Sequence, residues 1–114
     1  MLQMTHSNDL YLLRNGVYTK VVLEHIIYVR SFDNYCRFVM VGGDVFVIRK
    51  TLKNAARILE RHGFIQCHRQ FIINSKSVIS IDILKREIHL KDGHLVRYSR
   101  RRKKEVLNHL MDKY

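Results

Sequence analysis

Phe64-Ile65-Gln66-Cys67-His68-Arg69-Gln70-Phe71-Ile72-Ile73-Asn74 is the stretch on which the reading of this chain turns. Its ends are apolar, with Phe64 and Ile65 on one side and Phe71, Ile72 and Ile73 on the other. Two anchored segments therefore carry His68, Arg69 and Gln70 between them, which is how a fold presents polar side chains rigidly. These residues have the donors that reach phosphate oxygens and base edges, and arginine adds a planar fork matched to guanine or phosphate. A loop whose polar residues merely face water fits the stretch equally well, so the decision rests on its surroundings.

Toward the N-terminus the neighbour is a helix. Thr51 is a good N-cap, Leu52, Ala55, Ala56 and Leu59 share one face at spacings of three and four, and Gly63 ends the segment. Lys53, Arg57 and Arg61 read as its solvated basic face. Before it come short strands. Asn15-Gly16 between apolar runs at 10–13 and 17–23 is a hairpin signal, residues 26–29 form a further strand, and residues 30–34 read as a connection. Residues 35–41 and 45–48 are strands reversed at Gly42-Gly43-Asp44.

Toward the C-terminus, residues 78–84 and 87–91 are strands joined at Lys85-Arg86, and Asp92-Gly93 turns the chain into a last strand at 94–98. Ser99 then caps a terminal helix with Val106, Leu107, Leu110 and Met111 on one side. The expected fold class is mainly β, with about eight to ten short strands, one mid-chain helix and one C-terminal helix. There is no proline and no linker composition, so one domain is expected over 9–114, after a tail at 1–8.

Lys and Arg number 21 against 10 Asp and Glu, a formal charge of +11. On so small a domain this implies a polyanionic partner, nucleic acid before a membrane surface. Five of the cations are consecutive, Arg100 to Lys104, at the start of the terminal helix. Positive charge opposes the helix dipole there, and a phosphate beside the turn reverses that penalty. No apolar run is long enough to cross a bilayer and the first residues do not resemble a secretory signal, so a cytoplasmic protein with no membrane segment is expected.

Enzyme chemistry finds little support. The chain has no glycine-rich phosphate loop, nucleophile elbow or zinc motif, and its seven histidines include no pair spaced to chelate on one helix face. Cys67 and His68 are adjacent, so on an extended segment they point to opposite faces. Cys36 and Cys67 match no zinc or redox spacing and read as reduced, partly buried thiols. Asp82 and Glu87 balance nearby Lys85 and Arg86. No catalytic residue, metal or cofactor is expected.

The order of these pieces resembles the LytTR DNA-binding domain, the output module of many bacterial response regulators in two-component systems. Four segments carry the resemblance: residues 27–35 (Ile-Tyr-Val-Arg-Ser-Phe-Asp-Asn-Tyr), the helix at 51–63, the stretch at 64–74, and Tyr98-Ser99-Arg100-Arg101. The chain departs from the family's usual residues at Arg30, Gln66 and Gln70. The resemblance implies an elongated fold of about ten strands in small antiparallel sheets, which inserts loop residues into successive grooves of duplex DNA. Carried over, the groove contacts are Asn34, Tyr35 and Arg37, then His68, Arg69 and Gln70, then Ser99, Arg100, Arg101 and Arg102. Lys104 joins them as a phosphate contact from the basic run. Tyr35 also fits a strand core, and Asn74 fits a turn or cap better than a contact. The implied partner is promoter DNA with repeated half-sites, together with a receiver domain or a second copy on DNA. A basic RNA-binding β domain and a protein-interaction module are the rival readings.

Overall fold

Left-handed two-residue turns set the first strand pairing. The computed structural model describes residues 2–5 and 9–112. A short strand, β1 (Leu2–Met4), pairs with β2 (Leu10–Arg14), which returns through Asn15 and Gly16 into β3 (Val17–Val21). Both turn residues have positive φ, 52° and 77°. That geometry matches the twist of the flanking strands, which is why Asn-Gly signals a hairpin. Residues 2–4 lie where a tail is expected; Leu2 is buried against Leu10 and Leu12, and this burial draws the segment into the sheet. The rest of the expected tail falls partly outside the described residues.

The second sheet begins with β4 (Ile26–Phe32), β5 (Tyr35–Met40) and β6 (Val45–Arg49). The connection expected over 30–34 is shorter in the structure. Arg30, Ser31 and Phe32 stay in the ladder opposite Arg37, Cys36 and Tyr35, because Asp33 takes a left-handed φ of 50° and lets Asp33-Asn34 alone reverse the chain. Helix α1 (Leu52–Leu59) follows, with the Thr51 hydroxyl accepting the Asn54 N–H at 3.2 Å. Gly63 ends the segment at φ 85°, a conformation that favours glycine. β7 (Phe64–His68) and β8 (Phe71–Asn74) complete a five-stranded sheet in the order β6-β5-β4-β8-β7.

A third sheet, in the order β11-β10-β9, is made by β9 (Val78–Asp82), β10 (Glu87–Leu90) and β11 (Leu95–Arg97). Its first turn spans four residues, 83–86, and is wider than Lys85-Arg86. The terminal helix also starts differently from the expectation: Arg100–Arg102 is a 3-10 turn capped by Ser99, and α2 runs from Lys103 to Met111. Eleven strands and two α-helices are thus present among the described residues, in small antiparallel sheets. The body is elongated, 43 × 26 × 25 Å. No helix among the described residues is long and apolar enough to cross a membrane.

The five-stranded sheet is buried on both faces along part of its width. Alternating side chains point to opposite sides of a strand. Phe64 and Ile72 therefore enter one core with Phe38, Phe46 and Leu59 of β5, β6 and α1, while Ile65 and Ile73 enter a second with Ile88 and Val96 of the third sheet, Tyr98 just beyond it, and Val106 of α2. This explains the consecutive apolar residues at both ends of the organising stretch, since a strand covered on two sides has no polar face.

Candidate nucleic-acid interface

The β7–β8 turn is built from its own backbone outward. A bulge between Gln66 and His68 sets Cys67 apart from the ladder, and the Gln66 side-chain amide donates to the His68 carbonyl at 3.1 Å. The Gln70 N–H donates to His68 Nδ1 at 3.1 Å, which closes a ring across Arg69. Arg69 and Gln70 are exposed at the tip; His68 is partly buried, with its ring 5.4 Å from that of Phe71.

His68 is held below its ordinary pKa, first by burial and then by the positive charges of Arg69 and Arg102. The neutral ring accepts at Nδ1, so its proton resides on Nε2 as a donor. Because the folded value lies below the unfolded one, this group contributes stability above the unfolded pKa that is lost as pH falls through the folded value. In an NMR titration of the free protein, His68 should show the Nε2–H tautomer at neutral pH and a midpoint below about 6.5. A midpoint above that value would contradict the arrangement.

Hydrogen bonds fasten two other polar segments to this turn. The Ser31 N–H donates to the Gln70 carbonyl at 2.9 Å, which ties β4, and through it the Asp33-Asn34 turn, to the β7–β8 tip. On the other side the Ser99 N–H donates to the Cys67 carbonyl at 3.0 Å, docking the basic turn against the bulge. Ser99 also caps that turn, its hydroxyl accepting the Arg102 N–H at 3.3 Å. The structure therefore brings together the three segments that carry Asn34, Tyr35 and Arg37, His68 to Gln70, and Ser99 to Lys104.

Within them the side chains differ. Asn34, Tyr35 and Arg37 are exposed, and Tyr35 stacks on Phe32 with ring centroids 5.9 Å apart and planes 21° from parallel, so it is not a core aromatic. Arg100, Arg101 and Lys104 are exposed, whereas Arg102 is half-buried and donates from Nη1 to the Gln66 carbonyl at 3.2 Å. Arg102 thus braces the bulge. Asn74 is fully turned inward as a turn residue, its Oδ1 accepting the Lys76 N–H at 3.1 Å. Arg30 and Arg49 share the sheet face of Arg37 and Tyr35, a placement that requires the strand register and has no local signal.

Neither cysteine is poised for reaction. Burial pushes the Cys67 thiol up to about 12 and the Cys36 thiol up to about 11, so neither has an appreciable thiolate fraction at neutral pH. Both are free. Among the described residues no three His, Cys, Asp or Glu side chains converge to hold a metal ion.

The family model of the LytTr DNA-binding domain matches residues 16–111, nearly the whole of this fold. The chain belongs to the LytTr DNA-binding domain family. This LytTr domain shares its fold with the LytTr DNA-binding domain of a Bacillus cereus protein described as a methyl-accepting/DNA response regulator, at a TM-score of 0.77 and 19% identity. The likeness covers 90% of this chain and 96% of that one. A comparison with curated proteins returned no match.

Proposed function

We propose that this LytTr domain binds duplex DNA sequence-specifically as the output part of a bacterial transcription regulator. Arg69, Gln70 and the Nε2–H of His68 read base edges, Asn34, Tyr35 and Arg37 enter a neighbouring groove, and the basic turn grips phosphate through Arg100, Arg101 and Lys104. Family membership supports DNA as the ligand. The observation that carries the rest is the pair of backbone bonds, Ser31 N–H to Gln70 and Ser99 N–H to Cys67, which hold three polar segments in one fixed arrangement. Base readout needs such a frame, while phosphate contacts set register. The bound site is promoter DNA with repeated half-sites, occupied by a second copy or with a receiver domain alongside. Selection of bound fragments from a random duplex pool tests this, and recovery of no shared sequence would refute specific binding.

The salt dependence separates grip from readout. Each neutralised phosphate contributes about 0.9 to the slope of log affinity against log salt. Neutralising Arg101 and Lys104 together should flatten that slope by nearly two units, as about twice the single-contact value, and leave sequence preference intact. Melting temperature without DNA should hold or rise, because cations leave the wrong end of a helix dipole. An unchanged slope with a lower melting temperature would assign these side chains to the fold.

One observation favours a second reading, an RNA-binding domain. Phe32 and Tyr35 form an exposed stacked pair on adjacent strands, and exposed aromatics on a sheet are platforms for unpaired bases. Competition between duplex DNA and single-stranded RNA distinguishes the two. Loss of retention on any nucleic acid at moderate salt would point instead to a protein-interaction module.

A further inference from the structure

The five-stranded sheet is covered unevenly. The third sheet and α2 pack over the β7–β8 side of one face, at Ile65 and Ile73, and leave the β5–β6 side of that face open. On the open part Arg30 and Arg37 are direct cross-strand partners, and Arg49 is paired with Tyr35 one strand further out. All three arginines are exposed, and among the described residues none has a carboxylate at ion-pair distance. Like charges directly opposite each other across two strands are destabilising. Among the described residues the sheet therefore carries a like-charge pair that no carboxylate neutralises.

The register gives this pair a direction. Arg37, Arg30, Phe71 and His68 are successive cross-strand partners from β5 through β4 and β8 to β7. With strands about 4.8 Å apart, the row crosses about 14 Å, from the Asn34–Arg37 segment to the β7–β8 tip. The Arg30 guanidinium lies 5.9 Å from the centre of the Phe71 ring, which also packs against the rings of His68 and Tyr28. Arg30 thus stands on the line between two of the candidate groove-reading segments.

We infer that Arg30 and Arg49, flanking the groove-entering Arg37, form a phosphate-binding row that holds the DNA backbone along the open sheet face, Arg30 between those two segments and Arg49 one strand outside the first. The inference rests on the duplex-binding reading above and extends the interface from loops to the open sheet face. Phosphate fits better than a base here, because three guanidinium groups lie on one face while Phe32 and Tyr35, the exposed aromatic rings beside them, are stacked on each other. Guanidinium forks match phosphate oxygens, and an anion between Arg30 and Arg37 turns their repulsion into attraction.

The test is a salt titration of duplex binding by the full chain carrying both Arg30→Gln and Arg49→Gln. Wild type and Arg57→Gln serve as references, since Arg57 is exposed on α1, which packs against the opposite face of the sheet. The double variant should flatten the slope by about 1.8 units, at about 0.9 per phosphate, with sequence preference kept and the melting temperature without DNA equal or higher. Arg57→Gln should leave the slope unchanged. A double-variant slope equal to wild type overturns the row, as does an equal flattening per charge removed by Arg57→Gln, which would reduce the effect to net charge. If wild type itself does not retain duplex DNA, the functional reading fails and the row fails with it. If wild type binds and only the slope test fails, the row alone is lost.

Discussion

Alanine at Arg69 should weaken binding to the preferred duplex by about 1 to 3 kcal/mol, roughly 5- to 150-fold, and binding to random duplex by less. The size of the effect follows from how the side chain is presented. Arg69 is exposed at the tip of a turn whose two flanks are fixed, by the Gln70 N–H to His68 Nδ1 bond on one side and the Ser31 N–H to Gln70 carbonyl bond on the other. Little backbone freedom remains to be lost on binding, so most of the contact energy appears as affinity. Anisotropy titrations on a selected and a scrambled duplex at one salt concentration check it. Equal losses on both would make Arg69 a phosphate contact, and no loss on either would remove it from the interface.

The second large effect is expected away from the DNA. Asn74 is buried, with its amide donating to the Ile26 carbonyl at 2.9 Å and the Leu23 carbonyl at 3.3 Å while its Oδ1 accepts the Lys76 N–H. It extends the junction of β8 and β4 past Tyr28 and Ile73, the last partners of their ladder. Alanine there removes three hydrogen bonds, each worth about 0.5 to 1.5 kcal/mol, while the Leu23 carbonyl keeps the Ile26 N–H and the Ile26 carbonyl keeps the Ser77 hydroxyl at 3.4 Å. A net loss of about 2 to 4 kcal/mol is expected in urea unfolding, with the affinity of the folded protein for duplex unchanged. Asn74→Asp should be at least as damaging, because it replaces the donor with a second acceptor facing two carbonyls. A loss under about 0.5 kcal/mol, the size of an ordinary surface substitution, would show that the hairpin does not depend on this clamp.

Much of this molecule is legible along the chain because local chemistry decides it. Asn15-Gly16 and Asp92-Gly93 adopt left-handed turns, Thr51 caps α1, Gly63 releases it, and Ser99 caps the basic turn. Each involves a side chain or backbone preference acting over four residues or fewer, so the residue types announce it. The polar tip between apolar flanks at 64–74 and the basic run after Ser99 are visible for the same reason, whereas Asn34, Tyr35 and Arg37 enter as candidates through the family resemblance.

What the chain order does not disclose is which strands become neighbours. β8 pairs with β4, setting Ile73 beside Tyr28 and Phe71 beside Arg30, and only burial of two apolar faces at once selects that register. The consequences are tertiary: Arg30 to Phe32 remain in a strand, Arg30 faces Arg37, Arg102 turns inward to brace a bulge, and Leu2 is drawn into a sheet. Residues far apart in sequence carry no mark of such a meeting, since the energy that joins them is the burial of surface and not a local preference. Sequence therefore supplies the polar side chains, and tertiary packing decides which of them face the same partner.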